Sequence, residues 1–286
     1  MSKLKEYYEL TKPGIIYGNA LTAAAGFFIA TGRHVDIWLF LSALVGISLV
    51  VGAGCVFNNY IDRDIDAKME RTKNRPLVRG TISLHNAVAF GMLLIIIGTA
   101  VLYYANWLSI AVALSGFFIY VVVYSLWSKR NTLHATVIGA VAGAVPPVVG
   151  YTAVSNSLDL GALILFLILF TWQMPHALAV AIRRFDDYRA AGIPVMPVAL
   201  GIIPAKAQML AYSVAFFAAT AALGLSGYAG EVYLLLMGGV AILWFLLCLQ
   251  GFWARDEKKW AKRVFLFSLI IILVFCALCA FNPILP

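Results

Sequence analysis

Nine stretches of this 286-residue chain are long and apolar enough to cross a bilayer, near 14–31, 37–57, 86–105, 107–127, 135–154, 160–182, 208–227, 232–252 and 264–282. Lipid offers backbone groups no water to bond, so runs of this length cross only as helices that close their own hydrogen bonds. The chain is therefore expected to be an all-α polytopic membrane protein forming a single transmembrane domain over 1–286. Its composition excludes a soluble globule, with 63% hydrophobic residues, 12% charged residues and a mean hydropathy of +0.91. The first run is the most polar, because it contains Asn19 and Thr22.

Nine spans place the N-terminus and the 2–3, 4–5, 6–7 and 8–9 loops on one side. Those segments hold 20 of the 21 Lys and Arg residues, leaving only Arg33 on the other. The positive-inside rule then predicts a cytoplasmic N-terminus and a periplasmic C-terminus. On this reading the net charge of +8 reports orientation and anionic headgroups, and no nucleic-acid partner is expected. Residues 1–12 read as an amphipathic, interfacial lead-in, with Thr11 the expected N-cap ahead of Pro13. No cleavable signal or Arg/Ser-rich transit segment heads the sequence, which points to a bacterial cytoplasmic membrane. Cys55, Cys248, Cys276 and Cys279 all fall in spans and read as small buried residues, not as a redox or metal pair.

Polar chemistry is concentrated on the cytoplasmic side, in two cap loops at 58–85 and 183–206. This asymmetry predicts a central cavity opening toward the cytoplasmic face. Asn58, Asp62 and Asp66 follow the second run at spacings of four, so they are expected along one helical face. Carboxylates beside a span are costly unless compensated, and a row of oxygen ligands suits Mg²⁺ holding a substrate phosphate. Arg63, Lys68, Arg71, Lys73, Arg75 and Arg79 follow, a cationic set that matches a polyanion such as a diphosphate. The second cluster is Trp172-Gln173-Met174-Pro175-His176, continuing to Arg183-Arg184-Phe185-Asp186-Asp187-Tyr188. Pro175 should kink the sixth span, and Gln173 and His176 at bilayer depth need a partner or a cavity. Pro146-Pro147 should break the fifth span. Arg255–Arg263 reads as a plain cytoplasmic anchor, and His34 and His85 as plain loop residues.

Asn58-x-x-x-Asp62-x-x-x-Asp66 followed by Arg71-Thr72-Lys73-Asn74-Arg75-Pro76 resembles the first signature of the UbiA-type intramembrane prenyltransferases. Thr11-Lys12-Pro13-Gly14, Lys129-Arg130 with Gly143-Ala144-Val145-Pro146-Pro147, and Trp172-Gln173-Met174-Pro175-His176 resemble its haem-modifying branch. The likeness runs over roughly residues 8–205. It implies nine helices around a central cavity capped by the 2–3 and 6–7 loops. It further implies farnesyl diphosphate as donor, haem B as acceptor and haem O as product, for assembly of haem-copper oxidases, with a haem-handling or oxidase-assembly partner.

On that resemblance Asn58, Asp62 and Asp66 would hold Mg²⁺, while Arg71, Lys73, Arg75 and Lys129 would contact the diphosphate. His176 and His134 would ligate haem iron or bond a propionate, beside Gln173, Asp187 and Tyr188. Many relatives carry a second Asp-x-x-x-Asp motif after the sixth span. Here Arg184 and Tyr188 stand at those positions, with Asp186 and Asp187 displaced, so Arg183 or Arg184 would neutralise charge where a second ion would sit. The competing readings are a sister enzyme acting on a quinone precursor such as 4-hydroxybenzoate, and a secondary transporter. Acids at the cytoplasmic edge beside a cationic cluster argue against the transporter.

Overall fold

A computed structural model of the chain describes residues 2–32 and 34–282, so Arg33 and Pro286 lie outside the described residues. Among the described residues there is no strand, and nine helices are long and apolar enough to span a membrane. They are Pro13–Thr31, Ile37–Ile61, Leu84–Leu102, Trp107–Asn131, Ala135–Ser155, Leu160–Arg183, Ile202–Leu225, Glu231–Trp253 and Glu257–Phe281. Large side chains such as Ile96, Leu225 and Leu235 stay exposed, as a lipid-facing surface requires.

Four helix ends extend beyond their apolar runs. The second and fourth spans continue to Ile61 and Asn131, and the seventh and ninth begin at Ile202 and Glu257, a turn or more before the expected 208 and 264. A helix needs backbone partners, not apolar side chains, so it persists into the headgroup layer where long charged side chains reach water. At one such end the buried Lys206 donates to Glu257 at 2.6 Å and lies over the Trp260 ring. Most of the charged stretch Arg255–Arg263 lies in the first turns of the ninth helix, where Lys258 pairs with Asp186 of the 6–7 loop at 2.7 Å.

Side chains of spans 1, 2, 4, 5, 6 and 9 surround a cavity, while spans 3, 7 and 8 pack outside them. The largest core cluster joins the sixth span to the last three through Leu165, Ile168, Phe216, Trp244 and Phe275. Spans 1 and 5 approach most closely where glycines face backbone. A Cβ at Gly150 would lie 1.8 Å from the Ala23 carbonyl oxygen, and one at Gly26 would lie 1.9 Å from that of Pro147. The fifth span breaks as expected into Ala135–Gly143 and Val145–Ser155, just before Pro146-Pro147. The sixth span remains one helix through Pro175.

The lead-in forms a helix at Lys3–Leu10, but Thr11 is its C-cap, not the N-cap of the first span. The Thr11 hydroxyl donates back to the Tyr8 carbonyl at 2.8 Å, and Lys12 in the left-handed conformation (φ 52) precedes Pro13. Leu10 packs with Val56, Leu77, Ile82 and Ala87, which fastens the lead-in under the 2–3 loop. The two cap loops meet through Ile65, Met69, Ala191 and Ile193.

Candidate active site

The polar row begins where the second span ends. The helix stops at Ile61, Asp62 leaves it with φ −88 and ψ 5, and a short turn follows at Arg63–Asp66. The three residues are therefore not on one uninterrupted helix, which corrects the expected face. Register nonetheless survives the break, because Asp62 N–H donates to the Asn58 carbonyl at 2.9 Å and Asp66 N–H to that of Asp62 at 2.7 Å.

Asn58, Asp62 and Asp66 are 3%, 0% and 3% exposed. Carboxylates so buried require direct compensation, and each receives it from a different part of the chain. Lys129, at the end of the fourth span, pairs with Asp62 Oδ2, and Arg75 from the 2–3 loop pairs with Asp66 Oδ2 at 2.5 Å. Asn58 Nδ2 donates to Asp62 Oδ2 at 2.8 Å and to Ser125 Oγ at 2.9 Å. Lys12 donates to Asn58 Oδ1. Asn59 holds Lys12 in range by donating to the Leu10 carbonyl at 2.7 Å. Asp62 Oδ1 is buried with no hydrogen-bond partner. An acceptor orphaned among hard oxygen donors is the arrangement a divalent cation completes, so these residues fit Mg²⁺.

Asp64 turns out of this row. Arg130 donates to both its oxygens at 2.8 and 2.7 Å, holding the carboxyl well below its ordinary value, at about 2. Lys73 also faces away, in an exposed pair with Glu70 at 2.6 Å, so the structure does not bring it to the buried acids. Arg71 lies near enough to Tyr188 for its charge to act on the phenol.

Two chambers adjoin the row. The smaller, of about 240 Å³, is lined by Lys129, Tyr124, Tyr188, Ile193 and Val195, and so lies between the fourth span and the 6–7 cap. The larger, of about 390 Å³, runs into the helices past Asn19, Cys55, Phe117, Trp172 and His176. Tyr120, Gly139 and Gln173 line both. Their volumes are those of small-molecule sites, on the order of 300–1,000 Å³ together. The Tyr120 and Tyr124 rings stack 5.7 Å apart on a π-helical stretch, Ile119–Ser128, where Ser125 Oγ donates to the Tyr120 carbonyl at 2.9 Å. Such a bulge re-aims side chains in an otherwise regular span.

Gln173 donates to the carbonyls of Leu169 at 3.0 Å and Ala140 at 3.3 Å. Its Oε1 lies 2.0 Å from where a Cβ of Gly143 would stand, so only glycine leaves room for it there. His176 stacks between Trp172 at 4.8 Å and Phe265 at 5.0 Å, with Nδ1 2.7 Å from Ser268 Oγ. Arg183 lies over the Phe265 ring at 4.7 Å. His134 is exposed and lines neither chamber, so the structure separates it from His176.

Past the sixth span, Arg184 faces Asp187 at 3.8 Å, and Asp186 pairs with Lys258 and Arg189. Burial pushes the Tyr188 phenol above its ordinary value, which keeps it a donor toward the smaller chamber. Among the described residues no group of three or more His, Cys, Asp or Glu side chains is gathered for a metal. Lys12, Ser125, Tyr120 and Tyr124 are the residues that sequence reasoning did not select. The glimpsed signal for Lys12 was its place in Thr-Lys-Pro-Gly, whereas the other three sat unmarked in an apolar run.

A helical membrane fold with buried acids and cations beside an apolar cavity defines a polytopic membrane protein with an intramembrane site. The chain belongs to the UbiA prenyltransferase family, whose model matches residues 19–270. Over 94% of its length it is 52% identical to "Protoheme IX farnesyltransferase 2" of Pseudomonas putida (strain W619), covering 92% of that protein. Its fold is similar to that of a solved digeranylgeranylglyceryl phosphate synthase, with a TM-score of 0.80 and 21% identity over 98% of this chain and 99% of that one. A UbiA homologue from Archaeoglobus fulgidus, solved with GPP and Mg²⁺, matches with a TM-score of 0.72 and 18% identity over 96% and 99%.

Proposed function

We propose that this chain transfers the farnesyl group of farnesyl diphosphate to a vinyl group of haem B, giving haem O with a hydroxyethylfarnesyl side chain. The observation that carries this reading is the 52% identity, over nearly the whole chain, to a protein named as a protohaem IX farnesyltransferase. The geometry supports it, because a chamber bearing Lys129, whose ammonium pairs with Asp62, shares the walls Tyr120 and Gln173 with a larger apolar one lined by His176.

Asn58, Asp62 and Asp66 would hold Mg²⁺, and the Mg²⁺-bound archaeal homologue of the same fold supports that assignment. When bound, the ion supplies positive charge that offsets the charge gathering on the leaving diphosphate. Lys129, Arg75 and Lys12 stand preorganised around the same acids and can turn to phosphate oxygens as the C1–O bond breaks. That bond's electron pair leaves with diphosphate. The stacked faces of Tyr120 and Tyr124 adjoin the path of the allylic cation and lower its energy through their π electrons. The terminal carbon of a haem vinyl group then bonds to C1. Water adds to the cation left on the neighbouring carbon and releases a proton. The apolar walls of the larger chamber keep earlier water from the allylic cation. His176, which lines the larger chamber, would ligate haem iron, and Tyr188 and Arg183 would bond the propionates.

The test is mass spectrometry of haems extracted from cells expressing the chain beside a haem-B-only control. A farnesylated haem is expected from the native chain and from Asp64→Asn, whose exposed ion pair contributes at most about 1 kcal/mol. None is expected from Asp62→Asn, which retains insertion but loses the charge that Lys129 and Mg²⁺ share. An unmodified haem pool with the native chain would overturn the haem acceptor and move the activity to an aromatic quinone precursor.

A further inference from the structure

Ser268 belongs to the ninth span, far in sequence from every motif, and is fully buried. Its Oγ lies 2.6 Å from the Phe265 carbonyl oxygen and 2.7 Å from His176 Nδ1. A serine has one hydroxyl proton to give. Two oxygens 2.6 Å apart with no proton between them would repel, so that proton lies on the line to the Phe265 carbonyl. Ser268 Oγ is then left to accept, and His176 Nδ1 must be the donor.

In a neutral imidazole only one nitrogen carries hydrogen. With Nδ1 protonated, the lone pair is on Nε2, which makes no hydrogen bond among the described residues while the ring lines the larger chamber. The rest of the ninth span fixes the ring plane. Phe265 packs on one face, and Trp172, which covers the other, is itself held by its indole N–H donating to the Ser268 carbonyl at 2.9 Å. Both the backbone and the side chain of Ser268 therefore act on the same imidazole.

We propose that Ser268 is a positioning residue that sets the His176 tautomer and orients Nε2 toward the iron of the acceptor haem. This rests on the haem-acceptor reading of the site and adds to it the residue that makes His176 competent. Partners of this kind, which hold a ligating histidine by its second nitrogen, typically change affinity about 10- to 100-fold when removed.

Two measurements test it. The first reads the tautomer in the ligand-free protein, by ¹⁵N NMR of histidine-labelled chain with His34, His85 and His134 replaced by Gln. Protonated Nδ1 and bare Nε2 are expected, whereas a proton on Nε2 overturns the proposal. The second is a haem B titration followed in the Soret band, with farnesyl diphosphate affinity measured on the same samples. Ser268→Ala is expected to weaken haem about 10- to 100-fold and to alter the imidazole-ligated spectrum while sparing farnesyl diphosphate. Ser268→Thr, which retains the hydroxyl, is expected to restore both. If Ser268→Ala binds haem as the native chain does while His176→Ala loses the spectrum, Ser268 has no positioning role and the ligand assignment stands. If His176→Ala leaves the spectrum unchanged, the ligand assignment itself fails.

Discussion

At the residue scale, Lys12 shows how a side chain becomes functional through where its neighbours hold it. It sits just outside the first span in a left-handed backbone conformation, tied by Asn59 to the end of the lead-in helix, with its ammonium on Asn58. Burial first, and then the charges of Arg75 and Lys129, lower that ammonium to about 8. The unfolded chain keeps the proton to about 10.4. Between those values the unfolded state binds more protons, so raising the pH favours the fold. Diphosphate binding has the opposite sign, because it needs the charge that is lost as pH rises through 8. Affinity for inorganic diphosphate is expected to fall above pH 8, and the Lys12→Arg variant to show a flatter limb. Calorimetric titration between pH 7 and 9.5 measures this, and parallel profiles for both proteins would put Lys12 outside the diphosphate's field.

Asn58, Asp62 and Asp66 were legible because a buried carboxylate beside a span has few other uses. Lys73 and His134 were selected by the same logic of proximity in sequence, but the chain turns both to the surface. Nothing in the sequence says which side of a loop a long side chain will take.

At the element scale, helix length and helix spacing follow different rules. Hydropathy marks the middle of each span, but the seventh and ninth helices start earlier, where Lys206 and Glu257 neutralise each other. The close crossing of spans 1 and 5 depends on Gly26 and Gly150, where a methyl group would enter the facing backbone. Backbone cannot yield as a side chain can. Gly150→Ala is therefore expected to destabilise the fold by at least about 1–3 kcal/mol, the usual range for an overpacked core. Gly238→Ala, with nothing within 4 Å of its Cβ, is expected to gain about 0.5–1 kcal/mol from helix propensity. Thermal unfolding of both variants in one detergent measures the contrast, and equal melting behaviour would mean that the helices separate freely at this crossing. The π-helical turn at Ile119–Ser128 escaped sequence reading entirely, because tyrosines and a serine in an apolar run look the same in either helix type.

At the scale of the whole molecule, the charge distribution predicts which side of the membrane the site faces. All the residues around Asp62 come from segments that the positive-inside rule assigns to the cytoplasm, so donor and acceptor would be drawn from that side. A reporter fused after Pro286 is expected to read periplasmic, and fusions within 62–85 or 185–206 cytoplasmic. Cytoplasmic signal at Pro286 would remove one crossing and invert the argument.

The sequence by itself determined the number of spans and the acid row, since each follows from a local property: twenty apolar residues in lipid, or carboxylates without water. The tertiary structure alone decided which cations meet those acids, that Tyr120 and Gln173 wall both chambers, and that Ser268 reaches His176 across 92 residues of chain. Those are contacts between elements distant in sequence. Their partners are selected by how helices pack, and packing leaves no periodic mark on the residues it brings together.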